Sequence, residues 1–273
     1  LDYNYNPNIN PRELVGDDPS KFEVTGYGNN NVRGESADHG THVSGIIAGI
    51  RGNGLGGDGV CDNAMIMCLR AVPDGDERDK DIALAIRYAV DNGAQIINMS
   101  FGKPFSPYQE EMIAAFKYAE DNDVLVVHAA GNEALNNDKG GNFPTSKYEG
   151  MSSRFSNWIE VGASTRFKKY KIKKGYLDNN GLVAEFSNYG VEMVDVFAPG
   201  HDIVSATPDN EYDQWNGTSM ACPMVAGVAA LLKSYYPSLK MIEIREIIIA
   251  SVQQLGDLKV IRPTKRPAIV YLE

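Results

Sequence analysis

The sequence predicts an α/β domain with a mostly parallel central sheet covered by helices on both faces. Three observations support this. Near-continuous apolar runs at 95–100, 123–130, 158–162 and 193–198 read as strands buried on both sides. Other segments carry apolar residues at helical spacing. The two kinds alternate along the chain, which is the order that a parallel sheet with crossover helices requires.

Residues 1–38 form a polar, turn-rich opening with Asn4, Asn6, Asn8, Asn10 and Asn29 to Asn31 interleaved with Pro7, Pro11 and Pro19; only 13–15 resembles a short strand. Residues 39–51 place Val43, Ile46, Ile47 and Ile50 on one helical face, and 64–72 is a short apolar, strand-like run. Helix 81–92 repeats Ile82, Ala85, Ile86 and Ala89, with Asp81 as its expected N-cap and Gly93 as its stop. Strand 95–100 precedes helix 109–121, whose stripe is Met112, Ala115, Phe116 and Ala119. Three core strands follow, at 123–130, 158–162 and 193–198. Between the last two, Lys168, Lys169, Lys171, Lys173 and Lys174 precede Asp178-Asn179-Asn180-Gly181 and read as a solvated hairpin closed by an Asn-Gly turn. A last apolar helix opens at Ser219 and runs to about Leu232. The expected division is a polar segment 1–38, a main domain 39–256 and a tail 257–273.

A chain of 273 residues with 43% hydrophobic content can bury a sizeable core. A net charge of −10 argues against nucleic acid as a partner, and no run of about twenty apolar residues suggests a membrane span. Cys61, Cys68 and Cys222 form no C-x-x-C pair and read as small buried hydrophobes. The start at Leu1 shows no signal-peptide pattern and reads as though it falls partway into a domain.

Three segments carry chemistry. They are Asp38-His39-Gly40-Thr41-His42-Val43-Ser44-Gly45 at a helix start, Ala129-Ala130-Gly131-Asn132 at the carboxyl end of a strand, and Gly217-Thr218-Ser219-Met220-Ala221-Cys222-Pro223 at the opening of the apolar helix. Singly, Ser219 could be an N-cap and Asn132 a turn residue. Together they suit acyl transfer. A hydroxyl becomes a nucleophile when an imidazole takes its proton, and a helix N-terminus and a side-chain amide both stabilise an oxyanion. Val225, Val228, Leu231 and Leu232 predict a buried, rigid helix, and Pro223 is expected in its first turn, where a missing N–H is harmless.

These motifs, in this order, resemble those of the subtilisin-like serine peptidases, the subtilases, over about 14–251. The resemblance implies a three-layer subtilisin-like fold and a serine endopeptidase acting on peptide or protein substrates through an acyl-enzyme on Ser219. His39 would be the general base and Asn132 the oxyanion donor. The stretch Ile97-Asn98-Met99-Ser100-Phe101-Gly102 is similar to the strand that pairs edge-on with a substrate peptide. Ser100, Phe101 and Gly102 would form one wall of the specificity pocket, Ala129, Ala130 and Gly131 the other, and Asn142 its floor. Phe101 either favours apolar substrate side chains or packs into the core. The chemistry implied needs no cofactor or metal. Structural calcium is common in the family, but the glycine-rich loop 51–59 offers mainly carbonyls and gives no positive support for a site. The resemblance implies a secreted or extracytoplasmic protein.

One element of the pattern is missing. The family carries its triad aspartate in an Asp-Ser/Thr-Gly strand end before the histidine motif, and no such tripeptide precedes His39. Leu1 to Asn8 resembles the stretch that follows that strand, so the aspartate is expected upstream of Leu1. Asp2, Asp17 and Asp18 lie in polar loops, and Asp38 adjoins His39 too closely to approach its ring independently. The aspartate strand is central in the family's sheet, so residues 1–273 are expected to lack a central strand that a separate N-terminal segment would complete. The main alternative function is a crippled module that binds peptides without turnover. A metal hydrolase built on His39 and His42 lacks the glutamate and spacing of H-E-x-x-H, and 217–221 lacks the last glycine of G-x-S-x-G.

Overall fold

A computed structural model describes residues 12, 16–18, 21–22, 26–34, 36–72, 77–167, 170–172, 175–177, 182–254 and 268–269. The expected strand at 13–15, the stretch Leu1 to Asn8 and Asp2 lie outside them.

Helix α1 (Asp38–Ala48) buries His42, Val43, Ile46 and Ile47. It ends at Gly49, so Ile50, expected on the buried face, is 68% exposed. Helix α2 (Asp79–Asp91) has Arg78 rather than Asp81 at its N-cap. The Asp81 carboxylate is occupied by the guanidinium of Arg12 at 2.6 Å and the hydroxyl of Tyr27 at 2.5 Å. Gly93, at φ +83°, turns the chain out of α2 as expected of a residue free of Cβ strain. Strand β1 (Ile96–Met99), helix α3 (Gln109–Asp121), strand β2 (Leu125–Ala129) and strand β3 (Trp158–Ser164) follow.

Strands β4 (Tyr170–Ile172) and β5 (Gly175–Leu177) form the hairpin foreseen in the lysine-rich segment, but Ile172 pairs with Gly175. The hairpin therefore closes ahead of Asn180-Gly181, which lies outside the described residues. Strand β6 (Val196–Pro199) is followed by an antiparallel hairpin, β7 (Ile203–Thr207) and β8 (Glu211–Trp215), which the apolar pattern did not indicate. Then come helix α4 (Thr218–Tyr235), helix α5 (Met241–Ser251), β9 (Gln253–Gln254) and β10 (Ala268–Ile269).

The main sheet has six strands in the order β1-β2-β3-β6-β10-β9, parallel except at β9. Side chains alternate across it. From β2, Leu125 and Val127 join α1, α4 and α5 in one core, whereas Val126 joins α2 and α3 in the other. This is the three-layer α/β arrangement that the sequence pattern predicts.

β1 occupies one edge of this sheet. Residues 64–72, expected as a strand, form none, and Met65, Ile66, Met67 and Leu69 are exposed. A strand persists only where a neighbour satisfies its backbone groups, and no described strand lies beyond β1. Cys61 and Cys222 are buried as expected, but Cys68, in this same segment, is exposed.

Candidate active site

The parallel sheet gathers functional groups at the carboxyl ends of its strands. Ser100 follows β1, Gly131 and Asn132 follow β2, and β8 runs directly into the helix that carries Ser219.

Ser219 is the second residue of α4 and is half-buried. The helix has Gly217 at its N-cap and no cap from its own side chains. Asn132 supplies one instead. Its Oδ1 accepts the Thr218 backbone N–H at 2.8 Å and the Thr218 hydroxyl at 3.0 Å. That fixes the amide with its oxygen on the first residue of α4, and its NH2 group is left without a hydrogen-bond partner among the described residues. A Cβ added at Gly217 would lie 3.6 Å from the backbone N of Ser219 and 3.7 Å from Asn132 Nδ2, so both nitrogens lie close to Gly217 at the start of α4.

Ser100 and Ser219 are linked twice. Ser219 Oγ donates to the Ser100 carbonyl at 3.1 Å, and Ser100 Oγ donates to the Ser219 carbonyl at 3.0 Å. The second bond corrects the expectation for Pro223. That residue lies four positions after Ser219, beyond the first turn, so its missing N–H leaves the Ser219 carbonyl without a helical donor. The Ser100 hydroxyl takes its place.

His39 is the second residue of α1 and is exposed. Trp215, four residues before Ser219, lies nearly parallel to both imidazoles of the motif, 6.3 Å from His39 and 4.5 Å from His42. No sequence motif pointed to Trp215. The signal available was its place four residues before Ser219. The hairpin also grips α1 from below. Ser205 Oγ donates to the His42 carbonyl at 2.8 Å, and a Cβ on Gly45 would lie 2.4 Å from Ser205 Oγ and so displace that hydroxyl from its bond.

Partial desolvation by the surrounding protein lowers the His39 pKa, and repulsion from His42 adds to this. Among the described residues no carboxylate is hydrogen-bonded to its ring. Among the described residues no hydrogen bond joins His39 to Ser219. Asp17 is buried in ion pairs with Lys80 and Arg12, and Asp38 accepts from Ser36 Oγ at 3.3 Å. His42 is fully buried, with Nε2 3.1 Å from the Asp213 carbonyl. Among the described residues no three His, Cys, Asp or Glu side chains cluster as a metal site.

The segments assigned to the specificity pocket meet. Asn142 Nδ2 donates to the Ala130 carbonyl at 2.9 Å, and a Cβ on Gly102 would approach Asn142 Oδ1 to 2.8 Å. Lys103 and Phe143 pair through their backbones, which ties the first wall to the floor segment. Ala129 and Ala130 are buried, as is Ser100, whereas Gly102 and Asn132 are open to solvent. Phe101 is half-buried and packs against the α2–α3 core. A cavity of about 530 Å³, lined by Asn142, Phe143, Tyr148 and Glu160 among others, opens beside Asn142 and includes neither Ser219 nor His39.

Comparison with known proteins identifies the family. The model of the subtilase family matches residues 3–263. The chain is 40% identical over 220 residues to the thermophilic serine proteinase of Bacillus sp. (strain AK1), covering 80% of this chain and 48% of that protein. It is 34% identical over 232 residues to subtilisin DY of Bacillus licheniformis, covering 83% of this chain and 76% of that protein. The crystal structure of a cold adapted subtilisin-like serine proteinase superposes with a TM-score of 0.66 at 26% identity, over 86% of this chain and 74% of that one. The chain thus spans about half the length of the first of these relatives and about three quarters of the second. The family match and these relatives show that the chain belongs to the subtilase family.

Proposed function

We propose that the chain is the catalytic part of a serine endopeptidase with Ser219 as nucleophile, His39 as general base and Asn132 as oxyanion donor. The observation that carries this reading is that Asn132 Nδ2 and the Ser219 backbone N both come within 3.7 Å of the Cβ position of Gly217, at the N-terminus of the helix that bears Ser219. Ser219 Oγ attacks the peptide carbonyl carbon while His39 takes the hydroxyl proton. The oxyanion collapses, the C–N bond breaks, and His39 returns the proton to the departing amine. Water then attacks the acyl-enzyme, again yielding its proton to His39, and Ser219 is regenerated with a free carboxylic acid product. Ser100, Phe101 and Gly102 face Ala129, Ala130 and Gly131 across the pocket, and Asn142 forms its floor.

Two features support a further part of this reading: the open edge of β1 and the exposed apolar residues at 64–72. An extended strand from outside the described residues pairs along β1 and brings the triad carboxylate to His39. The reading also carries an extracytoplasmic location.

The test is labelling with a fluorophosphonate followed by peptide mass mapping. In subtilisin, loss of the aspartate lowers kcat by about 3 × 10⁴, less than the roughly 2 × 10⁶ for serine or histidine, so a chain lacking it still reacts measurably. The adduct is expected on Ser219, absent in Ser219→Ala and slowed in His39→Ala. Peptide binding with no adduct at any concentration favours the non-hydrolytic module instead. That second reading draws on the present orientation of the Ser219 hydroxyl toward Ser100.

A further inference from the structure

His128 belongs to no motif of the proposed chemistry, yet it sits directly beneath the site. It lies on β2 opposite Glu160 of β3 and is wholly buried. Its Nδ1 is 3.0 and 3.1 Å from the two oxygens of the Glu160 carboxylate, which is itself 4% exposed. Trp158 Nε1 donates to the same carboxylate at 2.7 Å. On the other side, His128 Nε2 is 2.9 Å from the Phe101 carbonyl. A carbonyl can only accept, so Nε2 carries a proton and donates. Nδ1 faces the carboxylate, so both ring nitrogens of His128 are paired.

The network continues outward. The Glu160 backbone N–H donates to Asp195 at 2.8 Å, and Asp195 is gripped by Arg154 at 2.7 Å and reached by Arg245 at 3.4 Å. Arg245 Nε also donates to the Trp158 carbonyl at 2.6 Å. The apolar neighbours of the imidazole include the rings of Phe101 and Trp158, with centroids 6.4 and 5.4 Å away. A chain of polar contacts thus leads from helix α5 through the sheet to one carbonyl of the pocket wall. Burying such a set is unfavourable unless every member is paired, so it fixes a single geometry.

We propose that His128, oriented by Glu160, is a positioning residue for substrate specificity. It draws the Phe101 carbonyl inward and so sets the backbone of the wall Ser100–Gly102 against which a substrate side chain packs. The inference rests on reading that wall as part of the substrate pocket.

The experiment measures peptide binding in a Ser219→Ala background, so that it does not depend on turnover. The probes are two short peptides that differ only in a large or small apolar residue at the cleavage position. His128→Leu is expected to weaken the preferred peptide about tenfold, the worth of one well-made buried hydrogen bond. It should also erase the difference between the two peptides. His128→Gln, whose amide can donate to the Phe101 carbonyl, should restore both. If His128→Leu fails to fold, His128→Leu/Glu160→Gln decides the matter. It keeps an acceptor for Trp158 Nε1, leaves no unpaired buried charge and should lose the same discrimination. Unchanged discrimination in the Leu variants, failure of Gln to restore it, or no peptide binding by Ser219→Ala overturns the inference. Fluorophosphonate labelling of the parent separately reports the peptidase reading.

Discussion

Asn132 caps the helix that carries Ser219 from a different part of the chain, its Oδ1 taking both the N–H and the hydroxyl of Thr218. The same amide therefore has two duties, and two substitutions separate them. Asn132→Asp keeps an acceptor for Thr218 but loses the NH2 donor. It should lower kcat by about 10²–10³ with little change in the denaturation midpoint. Asn132→Ala loses both and should additionally cost about 1 kcal/mol of stability. Steady-state kinetics beside urea unfolding checks the pair, and equal stability losses in both would contradict the cap.

Ser100 and Pro223 are predicted to be coupled. Ser100→Ala strips the Ser219 carbonyl of its donor and should cost about 1–3 kcal/mol. In a Pro223→Ala background the helix regains its own N–H, so the same change should cost markedly less. A double-mutant cycle by chemical denaturation measures the difference, and strict additivity would argue against the compensation.

The buried pair Asp17–Lys80 anchors the N-terminal loops to α2, and both side chains are almost wholly inaccessible. Asp17→Ala leaves the ammonium buried without its counter-charge. It should destabilise the protein by about 3–5 kcal/mol, read as a drop in Tm. Replacing both residues with apolar ones of similar size should be far milder.

Burial lowers the pKa of His42, with the Asp213 carbonyl opposing the shift. The folded protein therefore binds a proton at His42 less readily than the unfolded chain. Its contribution is intact above the ordinary imidazole range of about 6.5. It is lost as the pH falls through that value and on through the depressed folded pKa. Unfolding free energies between pH 8 and 5 should fall on the acid side, and less steeply in His42→Gln. The variant should also be less stable at pH 8, because its side chain cannot stack on Trp215 as the imidazole does.

Much of this architecture can be read from local pattern. The stripe at Met112, Ala115, Phe116 and Ala119 marks α3, and the run at Leu125 to Ala129 marks β2, because burial on one or both faces dictates those residue types. The hairpin β7–β8 escapes the pattern because its second strand, Glu211–Trp215, is largely exposed and carries no apolar alternation. Residues 64–72 mislead in the opposite way. Their apolar character suits a strand, but strand formation depends on a neighbour that local sequence cannot supply. In the site, Ser219, His39 and Asn132 stand out in the sequence because the proposed acyl transfer restricts the choice of residue. The compensation of Pro223 by Ser100, and the support of Phe101 by His128, depend on contacts 119 and 27 positions apart.

The reciprocal bonds between Ser100 and Ser219 bear on any effort to redesign the enzyme's selectivity. Position 100 looks like an ordinary lining residue whose side chain could be exchanged to admit a different substrate. It is also a structural part of the helix that carries Ser219, standing in for a donor that Pro223 lacks. Libraries that randomise position 100 will mix altered selectivity with a displaced Ser219. A side chain at position 102 would in turn press on Asn142, whose Oδ1 lies 2.8 Å from where its Cβ would sit.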